Sequence, residues 1–170
     1  SIYNDIDYAG LARETTGART VLVGPHPTAE PEDTFRIAGD KVDAIAMGEY
    51  DFTLPELADG RSLENVQGIA WRRNGAVCIN EAREPVDVNR LPFPAWLHIR
   101  ASDYHDGGKL HPFITLLSGR GCHGRCTFCR DVVSPSWKRL RMRAPEAVVD
   151  EIEYDLKLFP GLREIMFETD

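Results

Sequence analysis

Three cysteines stand within eight positions of this chain, as Cys122-His123-Gly124-Arg125-Cys126-Thr127-Phe128-Cys129, a C-x3-C-x2-C spacing. Thiolates are the soft ligands that iron–sulfur clusters and zinc select. One tight loop can wrap three corners of a four-iron cluster, and Gly119, Gly121 and Gly124 let the backbone close around an inorganic core without Cβ clashes. No fourth cysteine is nearby, so one iron would stay open to an exogenous ligand. An open metal position separates a catalytic site from a structural one. Two other readings use the same ligands: a zinc site, which would need His123 or His111 as fourth ligand, and a closed ferredoxin-like electron carrier. His123 adjoins Cys122, which makes tetrahedral ligation by both awkward. The remaining cysteine, Cys78, lies far upstream in an apparent strand and reads as a small buried apolar residue.

The rest of the composition is that of an ordinary globular protein, 42% hydrophobic and 28% charged over 170 residues. No apolar run approaches the roughly 20 residues of a membrane span. The Ser-Ile-Tyr-Asn-Asp start shows no basic or apolar leader pattern, which points to a cytoplasmic chain, and the absence of Met suggests excision from something longer. Free thiols fit that compartment. The net charge of −7 argues against a general nucleic-acid binder, but it is uneven. Arg120 to Arg143 holds seven Lys or Arg against one acid, Asp131. That stretch reads either as a solvated loop face or as a lining for an anionic ligand beside the cysteines.

Along the chain, Asp5 to Gly17 predicts a helix, Arg19 to Val23 a strand running into a Gly24-Pro25 loop, and Glu30 to Ala38 a second helix. Val42 to Ala46 predicts a strand stopping at Gly48, and Thr53 to Ala58 a further helix. This rhythm is that of a parallel α/β sheet covered on both faces. Asn74-Gly75 between Gly68–Trp71 and Ala76–Ile79 signals a hairpin. Pro85, Pro92 and Pro94 mark an extended linker. Phe113 to Leu117 reads as a buried strand leading into the cysteine loop. Pro145 to Phe159 reads as an amphipathic helix with Val148, Ile152, Leu156 and Phe159 on one face, and Arg163 to Glu168 as another strand. Strand, cysteine loop, helix, strand is a βαβ unit, which crosses over right-handed. One such unit cannot close a core alone, so the chain reads as a fragment that would be catalytically incompetent in isolation.

Cys122-x3-Cys126-x2-Cys129, with Phe128 before the last cysteine and a strand before the loop, resembles the radical S-adenosylmethionine (SAM) superfamily. The resemblance implies a parallel βα (TIM-like) barrel with a [4Fe-4S] cluster after its first strand. The open iron would bind the amino and carboxylate groups of SAM, with reducing equivalents from an external one-electron donor such as flavodoxin or ferredoxin. The C–S bond would then break to give methionine and a 5′-deoxyadenosyl radical. Phe128 would pack near the SAM adenine, and Glu168 and Asp170, at the end of the second strand, would meet its amino group. Arg120, Arg125 or Arg130 could approach its carboxylate or a substrate anion.

The front half is similar to the cobalamin-binding domain that precedes the barrel in one large class of these enzymes. The residues are Val21-Leu-Val-Gly-Pro-His-Pro-Thr28, Pro31-Glu32, Asp43-Ala-Ile-Ala-Met-Gly-Glu49 and Leu54-Pro-Glu-Leu57. The implied domain is Rossmann-like, with Gly24, His26, Gly48 and Glu49 bordering cobalamin. The glycine pair usual in that class stands here as Gly24-Pro25, and the usual Gly-Glu-Gly-Glu as Gly48-Glu49-Tyr50-Asp51. Strands that could carry an axial histidine motif are not in the chain. The expected organisation is a partial cobalamin-binding domain over residues 1–66, a hairpin and Pro-rich linker over 67–110, and the start of the barrel over 111–170. Gly119-Arg120-Gly121-Cys122, Cys126-Thr-Phe-Cys129, Arg139–Arg143 and Phe159-Pro160 look closest to members that tailor hopanoid lipids. Methyltransferases and cyclases acting on tetrapyrroles or natural products share much of this pattern, which leaves a small-molecule or lipid substrate.

Overall fold

The computed structural model describes residues 1–124, 126–129 and 139–168, which divide into two units, Ser1–Val86 and Asp87–Asp170. In the first unit, helix α1 (Ile2–Thr16) ends where Gly17 turns left-handed, at φ 68°, and donates its N–H to Arg13 O. A glycine is suited to that cap because it has no Cβ to clash. Strand β1 (Val21–Val23) follows, then two short helices, α2 (Pro25–Ala29) and α3 (Pro31–Ala38). The segment after Gly24, expected as a loop, is therefore helical. Pro25 occupies the first helical turn, where its missing N–H costs nothing.

Strand β2 (Ala44–Ala46) returns parallel to β1, with Leu22 opposite Ile45. Helix α4 (Thr53–Ala58) leads into β3 (Ile69–Arg73) and β4 (Ala76–Ile79). The sheet order is β1-β2-β3-β4, with β3 antiparallel to β2 and β4 antiparallel to β3. Asn74 and Gly75 take φ 52° and 84°, the paired left-handed conformation of a tight hairpin turn. The hairpin, grouped with the linker by sequence, thus extends the sheet of the first unit. Its inward side chains explain why: Ala70, Ile69 and Trp71 bury against β2.

The period of two along these strands builds two cores. Ile45 and Ala70 face Ile6, Phe35 and Ala38 of α1 and α3, while Ala44, Ile69 and Trp71 face Leu57 of α4 and Val66. Helices therefore cover both faces of the sheet, as the α/β reading expects. Cys78 lies in β4, half-buried against the second core.

In the second unit, β5 (Phe113–Leu117) pairs in parallel with β8 (Glu164–Glu168), and α5 (Pro145–Leu158) connects them. Between β5 and α5, a two-residue ladder joins β6 (Gly119–Arg120) to β7 (Arg141–Met142), antiparallel. Helix α5 corrects the expected apolar face. Val148, Ile152 and Phe159 are half-buried, but Leu156 is exposed, and its fully buried residues are Glu151 and Asp155. Asp155 lies one turn beyond Glu151, so the buried stripe is rotated toward the acids.

Candidate functional site

Parallel strands offer their C-terminal ends to ligands, because loops and helix starts converge there. In the second unit that end carries the cysteine loop, which leaves β5 two residues before β6. Gly121 sits at φ 87°, and Cys129 N–H donates to Cys126 O at 3.0 Å, closing a turn between the second and third cysteines. Gly124 N–H donates to Cys122 Sγ at 3.2 Å. A Cβ at Gly124 would lie 3.1 Å from Cys122 Sγ and 3.7 Å from Cys126 Sγ. Both sulfurs therefore flank the space that a side chain at 124 would fill. Backbone N–H donation to a sulfur lowers its charge, one of the levers that set a cluster's potential.

Cys122 and Cys129 are half-buried and Cys126 is exposed. Phe128 is 90% exposed, so the structure gives it no core role. Glu168 is exposed and stands opposite Leu117, at the same end of the strand pair as the cysteines. Asp170, Arg125 and Arg130 lie outside the described residues. Among the described residues no three His, Cys, Asp or Glu converge on a single metal ion. His111, a candidate fourth zinc ligand, stacks its ring against His105 with centroids 4.2 Å apart. A cavity of about 360 Å³ lined by Ile99, Pro112, Leu158 and Leu162 sits at the opposite, N-terminal end of β5 and β8, away from the cysteines.

In the first unit the candidate residues gather at the C-terminal ends of β1 and β2. Gly24 precedes α2 with φ 105°, and Gly48 follows β2 with φ 68°. Thr28 joins them: its hydroxyl donates to Gly24 O at 2.6 Å and accepts from Gly48 N–H at 3.2 Å. Sequence reading passed over Thr28, although a Thr four residues beyond a strand-end glycine can bond back to it within one helical turn. His26 is exposed on the first turn of α2. One Glu49 carboxylate oxygen accepts from Val86 N–H at 2.8 Å, which holds that side chain toward the end of the first unit.

The arginines of the basic stretch play unlike parts. Arg120 and Arg141 are partners across the β6–β7 ladder. Arg143 is only 12% exposed in its side chain and pairs with buried Glu151 at 2.5 Å. It is part of the framework and not of an open anion lining.

A mixed α/β unit precedes a parallel strand that launches a three-cysteine loop. The fold is that of the cobalamin-dependent radical SAM enzymes. The structure of OxsB, with aqua-cobalamin and SAM bound, matches 98% of this chain and 23% of that one at TM-score 0.67 and 22% identity. The radical SAM methyltransferase TsrM from Kitasatospora setae, with cobalamin and a [4Fe-4S] cluster bound, matches 99% of this chain and 34% of that one at TM-score 0.66 and 16% identity. In sequence, an uncharacterised methyltransferase of Pyrococcus horikoshii is 33% identical over 156 residues, covering 88% of this chain and 33% of the relative. No protein-family model matches the chain. The resemblance read from the cysteine loop and the front half is thus borne out in fold, and the sequence relative is a methyltransferase. The chain spans about a third or less of the length of the curated relatives it matches. Among the described residues no helix is long and apolar enough to cross a membrane.

Proposed function

We propose that this chain is the junction segment of a cobalamin-dependent radical SAM enzyme, with Cys122, Cys126 and Cys129 holding a [4Fe-4S] cluster that leaves one iron for SAM. The observation that carries the reading is the side-chain-free space at Gly124, flanked by two thiols at the ligand end of a parallel strand pair. A methyl group there would press on Cys122 Sγ, so the loop is shaped to keep room beside its sulfurs. When bound, the cluster would supply the electron for reductive cleavage of SAM.

The chain's own residues do the positioning. The Gly124 N–H orients Cys122 Sγ, and the turn between Cys126 and Cys129 sets the spacing of the other two thiols. Exposed Phe128 offers an aromatic face to the adenine, and Glu168, across from the last residue of β5, offers a carboxylate to the SAM ammonium. In the front unit, Gly24, Gly48 and His26 form the rim for cobalamin. Thr28 ties the two glycine turns together, and Glu49 braces the same edge through Val86. The reaction proposed for the whole enzyme is methylation or C–C bond formation on a small-molecule or lipid substrate, with flavodoxin or ferredoxin as electron donor, in the cytoplasm.

Anaerobic reconstitution of the full-length protein with iron and sulfide tests this. The expected result is a reducible cluster whose EPR signal changes on adding SAM and is lost in Cys126→Ala. A cluster indifferent to SAM, or tight zinc binding in its place, would overturn the reading.

A further inference from the structure

The cysteine loop leaves the fold through a narrow neck. Gly119 pairs with Met142 and Arg120 with Arg141, and one residue further on Arg143 N–H donates to Ser118 O at 2.9 Å. The neck is tight: a Cβ at Gly119 would fall 2.8 Å from Arg141 O and 2.9 Å from Met142 Sδ, closer than real Cβ atoms approach. Cys122 follows two residues after this ladder.

The Arg143 side chain locks the same place from behind. Its Nη1 donates to Leu117 O at 2.9 Å, its Nη2 to Ala147 O at 3.2 Å, and it pairs with Glu151 Oε2 at 2.5 Å. One guanidinium thus spans the last residue of β5, the first turn of α5 and a carboxylate one turn further along. Ala144 N–H donates to Asn89 Oδ1 at 2.7 Å, fastening the start of α5 to the connector as well. Burying an ion pair is weak stabilisation in itself, because desolvation offsets the Coulomb attraction. A planar fork that reaches three groups in fixed directions is better suited to setting geometry than to supplying stability.

We infer that Arg143 is a positioning residue for the cysteine loop: it clamps the end of β5 to α5 and so fixes where the Cys122 thiol stands. The inference rests on the cluster reading above, but it concerns the protein without its cluster too. Lysine at 143 can keep the charge beside Glu151, yet it cannot serve Leu117 O, Ala147 O and Glu151 at once from the guanidinium's fixed fork.

The test compares full-length wild type, Arg143→Lys and Arg143→Met/Glu151→Met. In the cluster-free protein, alkylation of Cys122 is timed by mass spectrometry; in the reconstituted protein, the SAM-induced EPR change is recorded. Arg143→Lys is expected to melt close to wild type but to label Cys122 about tenfold faster, the scale of one charge-assisted hydrogen bond. The EPR change on adding SAM is expected to weaken in the same variant. The double Met variant is expected to be at least as stable as wild type, as apolar replacement of a buried pair often is, yet to label Cys122 faster than wild type. Wild-type labelling rates in both variants would overturn the inference. Failure of the wild type to build a cluster would overturn the cluster reading alone, since the labelling comparison stands without it.

Discussion

Two carboxylates, one in each unit, show how differently the halves are built. Asp43, at the start of β2, accepts Thr20 N–H at 2.7 Å and pairs with Arg13 at 2.6 Å. Burial alone would push this carboxyl up, but the Arg13 and Thr20 contacts outweigh it and hold it below its ordinary range. Asp155, on α5, is fully buried with neither oxygen hydrogen-bonded, and burial together with the Glu151 charge pushes it up to about 6, against partial relief from Arg143. The front unit satisfies its half-buried carboxylate and packs apolar cores on both faces of a sheet. The second unit accepts an unsatisfied acid beside the clamp that carries its loop. Stability lies in the first and positional constraint in the second.

The largest test of that contrast is Phe35→Ala. Phe35 is fully buried between α1, α3 and the sheet, and truncating a buried Phe costs about 3–5 kcal/mol. Urea unfolding should show that loss in the front unit, while Cys122 alkylation stays at its wild-type rate. A matching change at Cys122 would break the division between the halves.

Next in size is Asp155→Asn. A carboxyl raised from 3.8 to about 6 favours the folded state when protonated, so its contribution is lost as pH rises through that window. The linked change is on the order of 3 kcal/mol. The Asn variant, uncharged but still unpartnered, should therefore be about 2 kcal/mol more stable than wild type at pH 8. That gain should shrink as pH falls from 6 to 4. A gain that is independent of pH would show that the carboxyl is not destabilised by ionisation.

Asp43→Asn should do the reverse, and by less. A lowered carboxyl contributes stability above its unfolded value and loses it as pH falls through its lower folded value. The variant should lose about 1 kcal/mol at pH 7 and converge with wild type in acid, read from melting curves between pH 2.5 and 7. Its pH trend should oppose that of Asp155→Asn.

What the sequence made legible follows the same division. In the front unit, the apolar run Val42–Ala46, the Asn74-Gly75 turn and the Gly17 stop each act over a few residues, and each element formed close to where local chemistry placed it. Pro25 misled because proline marks both loops and first helical turns. The cysteine loop was legible as ligand chemistry, because three thiols at such spacing have few other uses. Thr28 and Arg143 were not, since Gly48 and Leu117, the partners that tie them to other elements, lie 20 or more residues away. The face of α5 was misjudged for a related reason. Apolar periodicity favoured Leu156, but Arg143 pairs with Glu151 on the buried side, and Asp155 lies one turn further along it.

The two-residue ladder between Gly119–Arg120 and Arg141–Met142 also closes, at its base, the segment that carries the three cysteines. The entropy of bringing those ends together is met by the fold itself, so a ligand that gathers the thiols does not have to supply it.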